Sequence, residues 1–391
     1  MVVATRKGIA RVEELFQNRP QRVKELKAEG KKIMGYLCIY PMQEMMTALD
    51  LVPYRVFGEM REPITKADNF LPTIMCPFLR STLDVGLKGH YDFLDGMVTS
   101  HICDVGSSLS GIWNYTVKTP YHYHIDTPHT VHDTSLEQLR GLMGAFRTSL
   151  EEFTGQKMTA ARLKRAIALH NEQRALVREL YDLKKPDPPL LSGVETIKII
   201  KVVQSLPVQE GNELLRDVMA DVKSRRNGPV VKPARLLLWG SVVDDTPLLE
   251  MIESLDANVV MDDTCVGSRP FFDDVEETPD PIDGLAKHYL VDIKCPRTFR
   301  ARDFYALRKN YMEDLKTRFS YMSDYARDWK VNGIVLESVR YCDTHGYDVP
   351  GVRDYFKALG LPTVYLEHDY TVGALQPLKT RVQGFLELIS G

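Results

Sequence analysis

Three cysteines stand where predicted strands end, and their thiols could together bind a metal centre. Cys76 follows the apolar run LPTIM and precedes Pro77, whose fixed φ suits the first position of a helix. Cys103 follows GMVTSHI and precedes residues able to cap a helix, and Cys342 follows NGIVLESVRY. Open α/β sheets bind ligands beyond the carboxyl ends of their strands. The sequence therefore predicts three thiols in the region of the fold that such ligands occupy.

Thiolates are the ligands that iron–sulfur clusters require, and three of them leave one iron open to a substrate. The residues alone also permit two other interpretations. The cysteines could be separate small buried side chains, as free cysteines often are. A zinc site is the second alternative, although no histidine lies at ligand spacing and none of the six cysteines belongs to a CxxC pair.

The composition is that of an ordinary globular protein able to bury a core. Among 391 residues, 44% are hydrophobic and 26% are charged. The net charge of −3, without a basic run, argues against a nucleic-acid partner. No apolar run approaches the roughly 20 residues of a membrane span, and the charged N-terminal stretch differs from a secretory signal. We therefore expect a cytoplasmic protein with no membrane association and with free thiols.

The common nucleotide-binding and hydrolase motifs are absent from the sequence. No GxGxxG opens a strand–helix unit in the right context, and no GxxxxGK[ST] occurs. Neither GxSxG nor HExxH is present. These absences argue against a nicotinamide enzyme of the common type and against ATP hydrolysis through a P-loop, so the thiols carry most of the chemical information.

Alternating strand and helix patterns predict an α/β fold with two Rossmann-like domains, each built on a parallel sheet. Helical patterns precede the first domain and separate it from the second. The predicted divisions are N-terminal helices at 1–30, a first α/β domain at 31–133, a helical segment at 134–231 and a second α/β domain at 232–391. The two α/β regions could be distant internal duplicates.

Some predicted elements bear directly on the thiols. KKIMGYLCIY and GIVLESVRYC are predicted strands that each include a cysteine. The remaining predictions are one helical run from Val194 to Arg226, a loop at EETPDPIDG, a helix at VPGVRDYFKALG, and helices around Asp303–Leu307 and Asn310–Trp329.

Several stretches of the chain are specific in combination, although each alone is weak. They are GYLCIYPMQEMMTALDLVPYRVFG near the start, MCPFLRS and HICD in the first α/β region, VVMDDTCVGSRPF in the second, and NGIVLESVRYCDTHG with LKTRVQGFLELI near the end. With them the chain resembles, from about Lys31 to its C-terminus, the catalytic subunits of the 2-hydroxyacyl-CoA dehydratase and benzoyl-CoA reductase family. The resemblance is weakest in the helical segment.

The resemblance implies a [4Fe–4S] cluster held by three cysteines of the subunit. Cys76, Cys103 and Cys342 match the family's ligand positions by their context. The cysteines that do not match are Cys38, Cys265 and Cys295, although Cys265 lies in a loop that resembles the family's.

The resemblance also implies partners. Members of this family work as heterodimers of two related subunits and act on an acyl-CoA. A separate ATP-hydrolysing iron–sulfur activator, homodimeric or heterodimeric, donates electrons at very low potential and depends indirectly on ferredoxin. The missing P-loop in this chain fits that division of labour.

Two reactions occur in the family. Benzoyl-CoA reductases add two electrons to the aromatic ring and consume ATP, whereas dehydratases remove water from a 2-hydroxyacyl-CoA through a ketyl radical and recycle the electron. DNFLPTIMCPFLRSTLDVG and RYCDTHGYDVP resemble the reductase branch more closely, so we predict a benzoyl-CoA reductase subunit, with a dehydratase subunit as the alternative. A non-catalytic cluster-binding partner or scaffold is an alternative of another class.

A reduced ring needs a proton donor close to the cluster. His101, His345, Tyr40 and Glu44 are candidates because they lie at or near the cysteine-bearing strand ends. An ordinary packing or surface role is the alternative for each of them.

Polar residues around Cys265 form a second candidate group. Asp262, Asp263 and Arg269 flank this cysteine and could line the entrance for the acyl-CoA. The alternative is a polar turn without contact to substrate.

Overall fold

The first sheet is built from short apolar strands that run parallel and are largely buried. The structure is a computed structural model that describes residues 7–300 and 310–390. The order of the strands is β2-β1-β3-β4, and all neighbours are parallel. They are β1 (Lys32–Tyr36), β2 (Leu51–Arg55), β3 (Gly96–Ser100) and β4 (Tyr121–Ile125).

The second sheet repeats this arrangement later in the chain. Its strands are β5 (Ala234–Trp239), β6 (Ala257–Asp263), β7 (Gly333–Val339) and β8 (Thr363–His368). Their order is β6-β5-β7-β8, again with parallel neighbours only. The predicted α/β fold with two parallel sheets is confirmed. Internal duplication stays a prediction, but a shared strand order is what duplication would produce.

Helices connect the strands and fill the segment between the two sheets. Those around the first sheet are α1 (Gly8–Gln17), α2 (Pro20–Ala28), α3 (Gln43–Thr47), α4 (Pro77–Leu87) and α5 (Asp104–Thr116). The segment between the sheets contains α6 (Asp133–Thr154), α7 (Ala160–Asp182), α8 (Gly193–Val203) and α9 (Val208–Ser224). The second sheet is followed or flanked by α10 (Pro247–Glu253), α11 (Pro281–Lys287), α12 (Tyr311–Asp328), α13 (Asp343–Ala358) and α14 (Gln376–Ser390), and a π-helical turn at His288–Asp292 continues α11.

One buried apolar cluster extends through both sheets and the helices between them. It contains Trp113 from α5 as well as Trp239 from β5, and both indoles are essentially inaccessible to solvent. Helix α1 packs on α8 and α9, so the N-terminal helices are tied to the segment between the sheets. Because the core is shared, the carboxyl ends of the two sheets are held in a fixed relation.

A buried ion pair links α3 to α7. Arg174 donates to Glu44, whose second carboxylate oxygen accepts a hydrogen bond of 2.7 Å from the Tyr289 hydroxyl. Burial disfavours the charged form of Glu44, but the Arg174 guanidinium outweighs it and lowers the pKa of this carboxyl to about 2. Glu44, one of the predicted proton donors, therefore lies in a buried ion pair, and its role in proton transfer stays a prediction.

Two predicted strands end earlier than expected, and in both cases a cysteine is released from the sheet. β1 stops at Tyr36, and Cys38 then has a left-handed φ of 69°. β7 stops at Val339, and Tyr341 has a left-handed φ of 61°. Such backbone leaves the strand conformation, so the cysteines lie in the turns that follow the strands.

Other helix boundaries also differ from the predictions. The single run from Val194 to Arg226 is wrong, because the chain breaks between α8 and α9 where Pro207 cannot continue a helix. The loop predicted at EETPDPIDG is wrong in its last residues, since Asp280 caps α11 by accepting from the Ile282 amide at 3.0 Å. The helix predicted at VPGVRDYFKALG begins earlier, directly after Cys342. The helix predicted around Asp303–Leu307 lies outside the described residues.

Within the described ranges, every helix is too short or too polar to cross a bilayer.

The ion pair of α7 generates a stability prediction. The substitution Arg174→Met leaves the Glu44 carboxylate buried without its cation. We therefore expect the free energy of unfolding to fall by about 3–5 kcal/mol. Arg178→Met is the matched control on the same helix, because Arg178 pairs with Asp274 at the surface and should change stability by about 0–1 kcal/mol. Urea unfolding followed by circular dichroism measures both, and equal losses would contradict the assignment.

Candidate metal centre

All six cysteines of the chain line one cavity at the carboxyl ends of strands from both sheets. None of them forms a disulfide. The cavity is partly open to solvent. Much of the remaining wall is apolar and consists of Phe78, Leu79, Ile102, Val105 and Val242. The fold therefore gathers thiols from distant parts of the sequence into one largely apolar site.

The three predicted ligands each stand directly before a helix. Cys76 precedes α4, Cys103 precedes α5 and Cys342 precedes α13. The Cys103 sulfur accepts a hydrogen bond from the Gly106 amide at 3.4 Å. A helix N-terminus favours negative charge, so the position of each cysteine lowers the cost of forming a thiolate there.

Cys103 and Cys342 occupy equivalent places in the repeated topology. Each follows the third strand of its sheet, β3 or β7, and each is the N-cap residue of the next helix. In both sheets this strand adjoins the first strand of the sheet, where the connections change direction. Ligands of open α/β sheets bind at that switch point.

Burial makes the three thiols costly to ionise without a cation. It raises the pKa of Cys76 and Cys103, and it raises that of Cys342 to about 12. Neighbouring thiols add to the effect, with Cys342 acting on Cys76 and Cys103 acting on Cys342. A bound metal centre would remove this penalty, because its positive charge stabilises coordinating thiolates.

A single metal ion would need ligands that converge on one point. Within residues 7–300 and 310–390, no group of three or more His, Cys, Asp or Glu side chains could hold one metal ion as they stand. In a [4Fe–4S] cluster each thiolate binds a different iron, so its ligands need not converge in this way. The three-thiol, apolar donor set fits such a cluster in its chemistry, and the ligand assignment stays a prediction.

The other three cysteines lie on the same cavity. Cys38 follows β1, Cys265 follows β6, and Cys295 comes after the π-helical turn. Cys265 and Cys295 lie close enough to shift each other's pKa, and Arg269 Nη1 donates to the Cys265 sulfur at 3.3 Å. Burial opposes ionisation of Cys295, but its interaction with Cys265 and the charge of Arg269 together lower its pKa.

Arg269 also connects this group to the first three cysteines. Its Nη1 atom lies 3.2 Å from Nε2 of His345. An arginine can only donate, so Nε2 accepts and the proton of the ring is on Nδ1. That nitrogen lies 3.4 Å from the Cys342 sulfur and 3.3 Å from the Thr344 hydroxyl. Burial and then Arg269 lower the pKa of His345 well below its ordinary value, so the imidazole is neutral.

The predicted proton donors are not brought together. His345 lines the cavity, whereas His101 pairs with Asp126 at 2.7 Å and is partly exposed outside it. Tyr40 is buried behind the cavity wall, with its hydroxyl 3.0 Å from Thr298. Glu44 lies in the ion pair with α7. Their roles in proton transfer stay predictions.

The residues predicted to line the acyl-CoA entrance form hydrogen bonds with one another and with the loop after β6. Asp263 accepts from Arg269 at 2.9 Å and from Tyr321 at 2.7 Å. Asp262 accepts from the Tyr181 hydroxyl and from Thr264. None of these three side chains is among the residues that line the cavity, so contact with a substrate stays a prediction.

Sequence reasoning missed two charged cavity residues, Arg55 and Arg297. The second of them is the clearer case. It is buried and lines the cavity directly after Cys295 and Pro296. The sequence did contain a signal for this stretch. Cys295 is followed by Pro296, just as the predicted ligand Cys76 is followed by Pro77. A cysteine followed by proline at a turn could therefore have drawn attention to this stretch.

One protein-family model matches nearly the whole chain. Residues 38–389 match the family described as "2-hydroxyglutaryl-CoA dehydratase, D-component". The matched range includes all six cysteines.

Individual relatives are distant but nearly full length. The chain is 24% identical to the (R)-phenyllactyl-CoA dehydratase beta subunit of Clostridium sporogenes, over 94% of each chain. It is also 24% identical to one of the benzoyl-CoA reductase subunits of Thauera aromatica, over 97% of each chain. It is 23% identical to lactoyl-CoA dehydratase subunit beta of Anaerotignum propionicum, over 97% of this chain and 98% of the relative. Reductase and dehydratase subunits thus match about equally well.

The pair formed by Cys265 and Cys295 generates a pH prediction for the metal-free protein. We expect one thiolate to persist below the ordinary thiol range, because Cys295 holds a negative charge that Cys265 and Arg269 stabilise. Ultraviolet absorbance of the thiolate, followed as pH falls, measures it. Cys295→Ser should abolish this transition, and Cys38→Ser is the control that should retain it. An unchanged transition in Cys295→Ser would contradict the assignment.

Proposed function

Because the chain belongs to the 2-hydroxyglutaryl-CoA dehydratase D-component family, we propose that it is the iron–sulfur-binding subunit of an enzyme that acts on an acyl-CoA. Its relatives are subunits of reductases and dehydratases. One observation carries the proposal beyond the family: every cysteine of the chain lines a single, largely apolar cavity.

The proposed ligands of a [4Fe–4S] cluster are Cys76, Cys103 and Cys342. Their positions before three helices supply partial positive charge to thiolates. Their mutual repulsion in a buried site is a cost that the metal centre offsets. When bound, such a cluster supplies electron transfer at low potential and an iron with an open coordination site.

The residues of this chain give that site its environment. Phe78, Leu79 and Ile102 form apolar walls that exclude water, which would otherwise intercept a strongly reducing electron. His345 holds a proton on Nδ1 close to the sulfur of Cys342. Hydrogen bonds to ligand sulfur tune the potential of a cluster, so we assign His345 this tuning role and keep it as the candidate proton donor that faces the cavity.

Two reactions are proposed for the enzyme. The motifs around Cys76 and Cys342 favour the dearomatising two-electron reduction of an aromatic acyl-CoA, and the benzoyl-CoA reductase relative supports it. The phenyllactyl-CoA and lactoyl-CoA dehydratase relatives support removal of water from a 2-hydroxyacyl-CoA instead. In both cases we propose a related second subunit and a separate ATP-hydrolysing electron donor.

Turnover distinguishes the two reactions. The protein is purified without oxygen together with its partner subunits and electron donor, and benzoyl-CoA is compared with 2-hydroxyacyl-CoAs. We expect reductant and ATP to be consumed in proportion to product for a reductase, because each cycle uses two electrons. Product formation far in excess of reductant would identify a dehydratase. A cluster that is present but undergoes no change with any acyl-CoA would contradict an enzymatic role and favour a scaffold.

The ligand assignment is tested by metal content. Cys76→Ala, Cys103→Ala and Cys342→Ala should each lose about four irons per chain with the matching acid-labile sulfide, because each removes one of three ligands. Val105→Ala is the control, since it shortens a side chain of the same cavity wall without removing a ligand. Full retention of iron in all three cysteine variants would contradict the assignment.

A further inference from the structure

We propose that Cys38, Cys265 and Cys295 form a second iron–sulfur ligand set beside the first in the same cavity. The resemblance to the family assigns no role to these three cysteines. The inference deepens the proposed function and rests on it, since it concerns the same metal centre.

The two sets are arranged in a complementary way across the two sheets. The first set takes Cys76 and Cys103 from the region of the first sheet and Cys342 from that of the second. The second set takes one cysteine, Cys38, from the first region and two from the second. Both sets therefore depend on the way the two sheets meet, and neither is complete within one of them.

The members of the second set lie near one another and near the first set. Cys265 and Cys295 line the same cavity, and each shifts the pKa of the other. Cys38 lies close enough to Cys295, Cys265 and Cys103 for their charges to interact in the buried site. Three soft sulfur donors are the ligand type that iron–sulfur clusters use.

Buried cations surround the second set, and one of them has two donor atoms without an acceptor among the described residues. Arg297 lines the cavity and is only 6% exposed. Its Nη2 atom donates to the Thr127 carbonyl at 2.7 Å, but Nε and Nη1 find no acceptor among the described residues. A buried guanidinium with unpaired donors costs free energy, and an anionic cluster on three thiolates would supply both charge and acceptors.

Two further arginines provide compensating charge. Arg269 donates to Cys265 at 3.3 Å and is fully buried with its carboxylate partner Asp263. Arg55 is also buried, lines the cavity and acts electrostatically on Cys38. The charge of Arg269 is matched by Asp263, so Arg55 and Arg297 are the cations that anionic thiolate ligands of the second set would balance.

The backbone at Cys38 supplies an independent observation. Its φ of 69° lies in the left-handed region, which is unfavourable for a residue with a side chain. The strained turn presents the sulfur to the cavity instead of continuing β1. Strain of this kind persists where the surrounding structure requires it, as at a ligand site.

Two adjacent iron–sulfur ligand sets would change the number of electrons that the subunit can hold. One cluster exchanges one electron at a time, whereas two neighbouring clusters within one chain could hold two electrons supplied by the partner. Two is the number that a ring reduction consumes, so the second set bears on which of the two proposed reactions the enzyme performs.

Metal analysis tests the inference on protein purified without oxygen together with its partners. Iron, zinc and acid-labile sulfide are measured in the unmodified protein and in Cys38→Ser, Cys265→Ser and Cys295→Ser. We expect about eight irons per chain in the unmodified protein, four for each set, and loss of half or more in every variant. Val242→Ala, in the same cavity wall, is the control that should keep its iron.

The outcomes separate this inference from the proposed function. About four irons in the unmodified protein, unchanged in the three serine variants, would overturn the second set and leave the first cluster in place. Zinc instead of additional iron would also overturn it. Absence of iron from every anoxic preparation would overturn the proposed function itself. Circular dichroism identifies any variant that fails to fold. If Cys265→Ser or Cys295→Ser fails to fold, the iron content of Cys38→Ser tests the second set, because Cys38 comes from the region of the first sheet and lies apart from those two cysteines in the chain.

Discussion

The thiol cavity depends on a buried guanidinium that would be unstable without its partners. Arg269 is almost completely inaccessible to water, and its charge is matched by Asp263 at the end of β6. Its remaining donors reach the Gly240 carbonyl after β5, the Cys265 sulfur and His345 on α13. Since each donor must be satisfied in a buried site, this single side chain fixes the relative positions of two strand ends and one helix of the second sheet.

A second constraint is the repetition of one strand order in both sheets. The carboxyl ends of parallel strands lie at one edge, so turns after β1, β3, β6 and β7 are available to carry ligands toward the space between the sheets. The shared apolar core then holds these edges opposite each other. Thiols that are far apart in the chain become neighbours because of this topology and not because of local sequence.

Charge burial gives the cavity its chemical character. The walls exclude water, which makes thiol ionisation costly, while Arg55, Arg269 and Arg297 offer positive charge at the same place. A site with neutral thiols satisfies neither the cations nor the helix N-termini before Cys76, Cys103 and Cys342. The proposed anionic metal centre would satisfy both, and the same apolar surroundings would protect a strongly reducing electron from water.

The sequence by itself determined the fold class and the family, because strand and helix patterns and the stretches around the cysteines are local properties. It also indicated Cys76, Cys103 and Cys342 through their positions at strand ends. Only the tertiary structure decided that Cys38, Cys265 and Cys295 share the cavity and that Glu44 belongs to an ion pair away from it. It also decided that two donor atoms of Arg297 find no acceptor among residues 7–300 and 310–390. These facts depend on contacts between residues up to hundreds of positions apart, on left-handed turns at Cys38 and Tyr341, and on burial, none of which a local pattern encodes.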